Sequence, residues 1–126
     1  MRKAVLVIAV ILSVIAALGI LYWLFYAGAA RDWLLTVALG CVSAGIVGNL
    51  YDRLGLHGLK WPEGYPGHVA GEPMYAVRDW ILVMIGRWPW PTFNMADSLL
   101  VCGAAMLVWH AFFCGSPAEK PDAPVE

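Results

Sequence analysis

Uncharged, mostly apolar residues come in three long blocks separated by charged or proline-rich stretches. Ala4 to Ala30 carries no charge, Trp33 to Tyr51 carries none, and Ser98 to Ala118 carries none. Roughly 20 apolar residues wound as a helix cross a hydrocarbon core of ~30 Å, so each block is long enough to span a bilayer. The pattern predicts an all-α transmembrane fold, a three-helix membrane bundle with spans over about 4–28, 33–52 and 95–114. Residues 1–114 read as a single membrane domain. The tail over 115–126, with three prolines and mixed charge, is predicted to be disordered.

The first block imitates a secretory signal peptide, with Met1-Arg2-Lys3 at its start and Ala27-Gly28-Ala29 as a small-residue site. A signal core runs about 7 to 15 residues, whereas 4–30 is long enough to span with tilt, so a retained helix is expected. Tyr22, Trp23 and Tyr26 suit an interfacial aromatic belt at its far end. Arg31-Asp32 leaves room only for a tight hairpin, so the second span returns antiparallel. That span is rich in small residues: Gly40, Ala44 and Gly48 form one row, and Cys41, Gly45 and Asn49 the adjacent one. In lipid, such rows permit close helix approach.

The loop over 53–94 changes character. Pro62, Pro66, Pro73, Pro89 and Pro91 break helices, and glycines at 55, 58, 64, 67, 71 and 86 punctuate the rest. Within it, Val77 to Ile85 suits either a short interfacial helix or a strand. Trp61, Trp80, Trp88 and Trp90 fit a segment at headgroup level.

Composition agrees with a bilayer protein, at 61% hydrophobic and 13% charged residues. A net charge of −1 supplies no basic patch, and no nucleic acid partner is expected. Cys41, Cys102 and Cys114 have no metal-ligand spacing and read as small packing residues. His57, His68 and Asp79 are loop residues without metal-binding spacing, and His110 reads as a packed or interfacial histidine.

Candidate chemistry lies at two span edges. Asn49-x-x-Asp52 closes the second apolar block, and Asn94-x-x-Asp97 opens the third. Three-residue spacing on a helix puts amide and carboxylate on one face. A carboxylate at the edge of a span is costly unless paired or hydrated, which makes it a functional-site hypothesis. Asp52 and Asp97, entering from the same side, could share one proton, one group activating a water while the other polarises a peptide carbonyl. Two structural readings compete. Asn94 with Asp97 fits a helix N-terminal capping box, and Asp52-Arg53 fits an interfacial ion pair.

These residues resemble bacterial lipoprotein signal peptidase, or signal peptidase II. The resemblance rests on Gly48-Asn49-Leu50-Tyr51-Asp52-Arg53, on Val77-Arg78-Asp79-Trp80-Ile81, and on Trp90-Pro91-Thr92-Phe93-Asn94-Met95-Ala96-Asp97-Ser98. It covers about 33–113, with 4–30 matching only as an apolar helix. It implies a membrane aspartic endopeptidase that cuts signal peptides from prolipoproteins before a diacylglyceryl-modified cysteine. Asp52 and Asp97 would be the catalytic pair, with Asn49 and Asn94 orienting carboxylates or substrate and Arg53 positioning substrate. No metal or organic cofactor is implied, and the partners would be lipidated prolipoprotein signal peptides and membrane lipids. The expected setting is a monomer in the bacterial cytoplasmic (inner) membrane, multi-pass, with its active site toward the outer leaflet.

The sequence departs from that family in two ways. The family has four transmembrane helices and this chain supplies three, its first resembling the family's second. That puts Met1-Arg2-Lys3 on the outer side, against the positive-inside preference, and suggests a missing upstream helix. The segment over 54–76 is also longer than usual in the family. The alternative expectation is a non-catalytic or truncated scaffold of the same family.

Overall fold

The structure, a computed structural model, describes residues 2–114. Three long helices dominate: α1 over Arg2–Phe25, α2 over Trp33–Arg53 and α3 over Met95–Phe113. All three are long and apolar enough to cross a membrane, as the pattern of uncharged blocks predicts. The expected tail over 115–126 lies outside the described residues.

Local chemistry sets the helix ends. α1 stops at Phe25, short of the predicted 28, because the amides of Tyr26 and Ala27 both fold back onto the Tyr22 carbonyl, at 2.9 and 3.0 Å. Gly28 then takes a left-handed conformation, φ 87°, which a side chain would disfavour and which reverses the chain. A single 3-10 turn over Ala29–Arg31 leads into α2. Asp32 caps α2, its Oδ1 accepting from the amides of Leu34 and Leu35 at 3.0 and 3.2 Å.

α1 leaves Val5, Ile8, Leu12, Ile15 and Leu18 exposed. A helix apolar on every side suits lipid rather than water. The buried apolar cluster sits at the hairpin end of the bundle: Leu24, Ala29, Leu35 and Leu39, with Ile20 and Leu107 packed against it. There His110 of α3 meets the Asp32 carboxylate, tying the end of α3 to the cap of α2.

Glycine permits the tight α2–α3 crossing. A Cβ at Gly45 would lie 2.6 Å from the Ala96 carbonyl oxygen, and one at Gly103 would lie 2.8 Å from that of Ala38. Each helix thus presents a bare patch to the other's backbone. Gly48 also faces α3, with Ala96 3.1 Å from where its Cβ would be, but Gly40 has nothing within 4 Å and is exposed. Only part of the small-residue face is therefore an interface.

The connection from α2 to α3 folds as two antiparallel ribbons. In the first, Leu59 and Trp61 pair with Met74, Glu72 and Gly71. In the second, Ile81 and Phe93 exchange amide-to-carbonyl bonds at 2.8 and 3.2 Å. A hairpin of β1 (Met84–Ile85) and β2 (Trp88–Pro89) continues it, in register Ile85 to Trp88. Gly86, at φ 63°, opens its two-residue turn. Val77 to Ile85 is accordingly extended, the strand alternative rather than the helix.

Candidate active site

α3 begins with Asn94 outside the helix and Asp97 in its first turn. The Asn94 side chain accepts from the Asp97 amide at 2.9 Å, and Asp97 Oδ2 accepts from the Asn94 amide at 3.2 Å. This reciprocal capping box is the structural reading that the spacing suggested. It also aims the Asp97 carboxylate back toward α2. There Asn49 donates from Nδ2 to Asp97 Oδ1 at 3.1 Å, and its own Oδ1 accepts from Asn94 Nδ2 at 3.1 Å. Asn49 and Asn94 are each 6% exposed, and their side-chain amides are paired with one another, with carboxylates and with the Asp97 backbone amide. Donors reach both oxygens of Asp97.

Asp52 is turned inward and is 6% exposed. Its partner is Arg78. The Arg78 Nε and Nη2 donate to Oδ1 at 3.1 and 2.8 Å, and the Arg78 amide donates to Oδ2 at 2.9 Å. Both oxygens of Asp52 are therefore occupied by one residue, and the guanidinium is held even more firmly protonated by that bond. Neither the Asp52–Asp97 pair nor the Asp52–Arg53 ion pair describes this geometry.

The carboxyl group brought up beside Asp97, through their shared partner Asn94, is that of Asp79. The Ile81–Phe93 bridge lays the two ribbon strands side by side, which brings Asp79, ahead of one strand, up to Asn94, at the end of the other. Asn94 Nδ2 donates to Asp79 Oδ1 at 3.2 Å. Asp79 is raised above its ordinary value of 3.8, by partial desolvation first, then by the Asp97 charge and a hydrogen bond shared with Asp97, and further by Asp52. Arg53 opposes the rise. Asp79 nonetheless lies on the open side of the site, where water can reach it. The structure brings Asn49, Asn94 and Asp97 together, while Asp52 is held by Arg78 and Arg53 acts on Asp79 through its charge.

The arrangement is two adjacent carboxyl groups at the mouth of a membrane bundle, one prone to keep a proton and one held by amide donors. A family model described as Signal peptidase (SPase) II matches residues 1–113. The chain belongs to the signal peptidase II family. Among its relatives, the lipoprotein signal peptidase of Rhodopirellula baltica is 51% identical over 102 residues, which are 80% of this chain and 43% of that protein. That of Serratia proteamaculans is 35% identical over 84% of this chain and 51% of its own length. That of Teredinibacter turnerae is 38% identical over 74% and 45%. The chain spans about half the length of the curated relatives it matches. No solved structure matches it.

Within this signal peptidase II chain, sequence reasoning missed Arg78 and Asp79, although both stand in one of the segments that carry the resemblance. Their adjacency was the available signal. A buried acid at the end of α2 needs a cation, and an Arg-Asp pair that supplies one delivers a second acid beside it.

Proposed function

We propose that this chain is a membrane aspartic endopeptidase that removes signal peptides from diacylglyceryl-modified prolipoproteins, using a water activated between Asp79 and Asp97. The observation that carries this reading is that Asn94 joins the two carboxyl groups, its Nδ2 donating to Asp79 Oδ1 and its backbone amide to Asp97 Oδ2, both at 3.2 Å, while partial burial and then the neighbouring Asp97 raise Asp79. Asp97 takes a proton from the water as its oxygen adds to the scissile carbonyl carbon, and Asp79 donates its hydrogen bond to the carbonyl oxygen. The proton on Asp97 then passes to the leaving amide nitrogen as the C–N bond breaks. Asn49 and Asn94 hold the two carboxyl groups in register. Asp52 is a positioning residue: by anchoring Arg78 it fixes the residue next to Asp79.

The setting that fits this role is the bacterial inner membrane, with the site toward the outer leaflet, where lipidated substrate approaches laterally, and with the chain acting as a monomer. One observation favours the scaffold alternative. The capping box and the Asn49 bond engage both oxygens of Asp97 in holding α3 to α2, a purely structural use of the same residues.

Reconstituted with a diacylated lipopeptide, the full chain is expected to cleave before the lipidated cysteine. Asp79→Asn and Asp97→Asn each abolish cleavage, and Asp52→Asn slows it while leaving measurable turnover. Full activity in Asp79→Asn would sink the assigned pair. A folded wild-type chain with no turnover would favour the scaffold.

A further inference from the structure

The segment over 54–76 folds over the start of α1 and builds a second site, separate from the carboxyl pair. A chamber of about 790 Å³ is lined by Arg2 and Lys3 from α1 and by Trp61, His68 and Glu72 from the first ribbon. His68 stacks on Trp61 with ring centroids 3.6 Å apart, and its Nε2 lies 3.3 Å from Arg2 Nη1. Gly67 lies against the same guanidinium: a Cβ there would come within 3.1 Å of Arg2 Nη1. Among the described residues lining it, Arg2 and Lys3 supply positive charge and Glu72 negative, so the chamber favours an anion.

A second cavity of about 270 Å³ adjoins it, sharing Leu6 and Tyr75. It runs along Val7, Val10 and Ile11 of α1 against Leu54, with Arg53 the one charged wall residue among the described residues. At 1.5 Å per residue, Ile11 lies roughly 14 Å down the helix from Arg2, within the span. A cationic, aromatic chamber at the surface thus opens onto an apolar groove that descends beside a membrane helix.

We propose that these two cavities form a binding site for one anionic phospholipid, its phosphate against Arg2, Lys3 and His68 and an acyl chain along α1. The charge excludes a basic peptide segment, and the groove gives a free anion nothing to fill. The uncharged diacylglyceryl group of a lipoprotein substrate has no phosphate for the chamber, so this lipid is distinct from substrate. Basic side chains near a membrane surface attract anionic lipids, and here a formed chamber fixes where one sits.

The test is native mass spectrometry of the full chain in a zwitterionic detergent, titrated separately with dioleoylphosphatidylglycerol, dioleoylphosphatidylcholine and inorganic phosphate. The expected result is retention of phosphatidylglycerol over phosphatidylcholine by roughly tenfold or more, with no displacement by millimolar inorganic phosphate. The double variant Arg2→Glu, Lys3→Glu is expected to fall to the phosphatidylcholine level. Val10→Trp, which fills the groove and leaves the charges intact, is expected to weaken retention by a similar factor. Equal retention of the two lipids overturns the proposal, as does retention by both variants. Displacement by phosphate makes it a free-anion site, and a dimer in place of the lipid adduct gives the groove to a second copy.

Discussion

Replacing Gly45 with alanine tests whether the α2–α3 crossing holds the site in working order. The added Cβ would stand 2.6 Å from the Ala96 carbonyl oxygen. Comfortable carbon-to-oxygen approach begins at about 3.3–3.6 Å, so α3 must retreat by roughly 0.7–1 Å. Leu100 can rotate away, but a backbone carbonyl inside a helix cannot. Asn49 lies one turn beyond Gly45 on the same face, and its bonds to Asp97 and Asn94 are each 3.1 Å long. Adding the retreat carries both to about 3.8 Å or more, outside hydrogen-bonding range. Overpacking of this kind costs about 1–3 kcal/mol, and a misplacement near 1 Å is enough to slow a reaction about 100-fold. Gly45→Ala is therefore expected to lower the thermal midpoint and to slow lipopeptide cleavage by about 10- to 100-fold. Gly40→Ala is the control, since that position is open to lipid; it should match or exceed wild-type stability by about 0.5–1 kcal/mol through helix propensity. Wild-type turnover and an unchanged midpoint in Gly45→Ala would refute the idea that close approach aligns the carboxyl groups.

Other outcomes follow from the same contacts. Asn94→Ala removes a helix cap and strands the Asn49 amide, at a combined cost of about 2–3 kcal/mol measured by denaturant or heat; Asn94→Ser should recover roughly 1 kcal/mol of it by restoring the cap alone. Because Asp79 is raised in the folded protein, its contribution to stability is favourable at acid pH and is lost as pH rises from the ordinary carboxylate value through the raised one. Cleavage should decline over the same rise, and a carboxyl titration followed by infrared spectroscopy should find Asp79 shifted downward in Asp97→Asn. Asp32 behaves oppositely: lowered chiefly by its bond to His110, it contributes stability above its ordinary value that is lost as pH falls through the lowered one. His110→Ala should therefore lower stability near neutral pH and make its loss toward acid pH shallower, and an unchanged pH profile would count against the contact.

The membrane helices were legible because each repeats one simple property over many residues, and the cost of a buried charge places their ends. The Asn94 to Asp97 unit was legible for a different reason: a cap is local, and four consecutive residues contain all of its parts. The structural and chemical readings of that unit are compatible, because the capping box is what aims the carboxylate at α2. Asp79 was not legible in the same way. Its position depends on the register of a ribbon whose two strands are joined through a hairpin, and no periodicity in 54–92 reports that register. Asp52 looked like the better partner because it repeats the Asn-x-x-Asp spacing on a predictable helix, but spacing alone could not say that Arg78 would occupy it.

The Ile81–Phe93 bridge makes the connecting segment sensitive to insertions by parity rather than by length. Residues added at the Gly86 turn lengthen the hairpin away from the bundle and leave Asp79 where it is. One residue added between Asp79 and Ile81 moves the carboxyl group by about 3.3 Å and turns it to the opposite face of the strand. The outer end of this segment can therefore take added residues, while the step from Asp79 to Ile81 cannot without moving the carboxyl group.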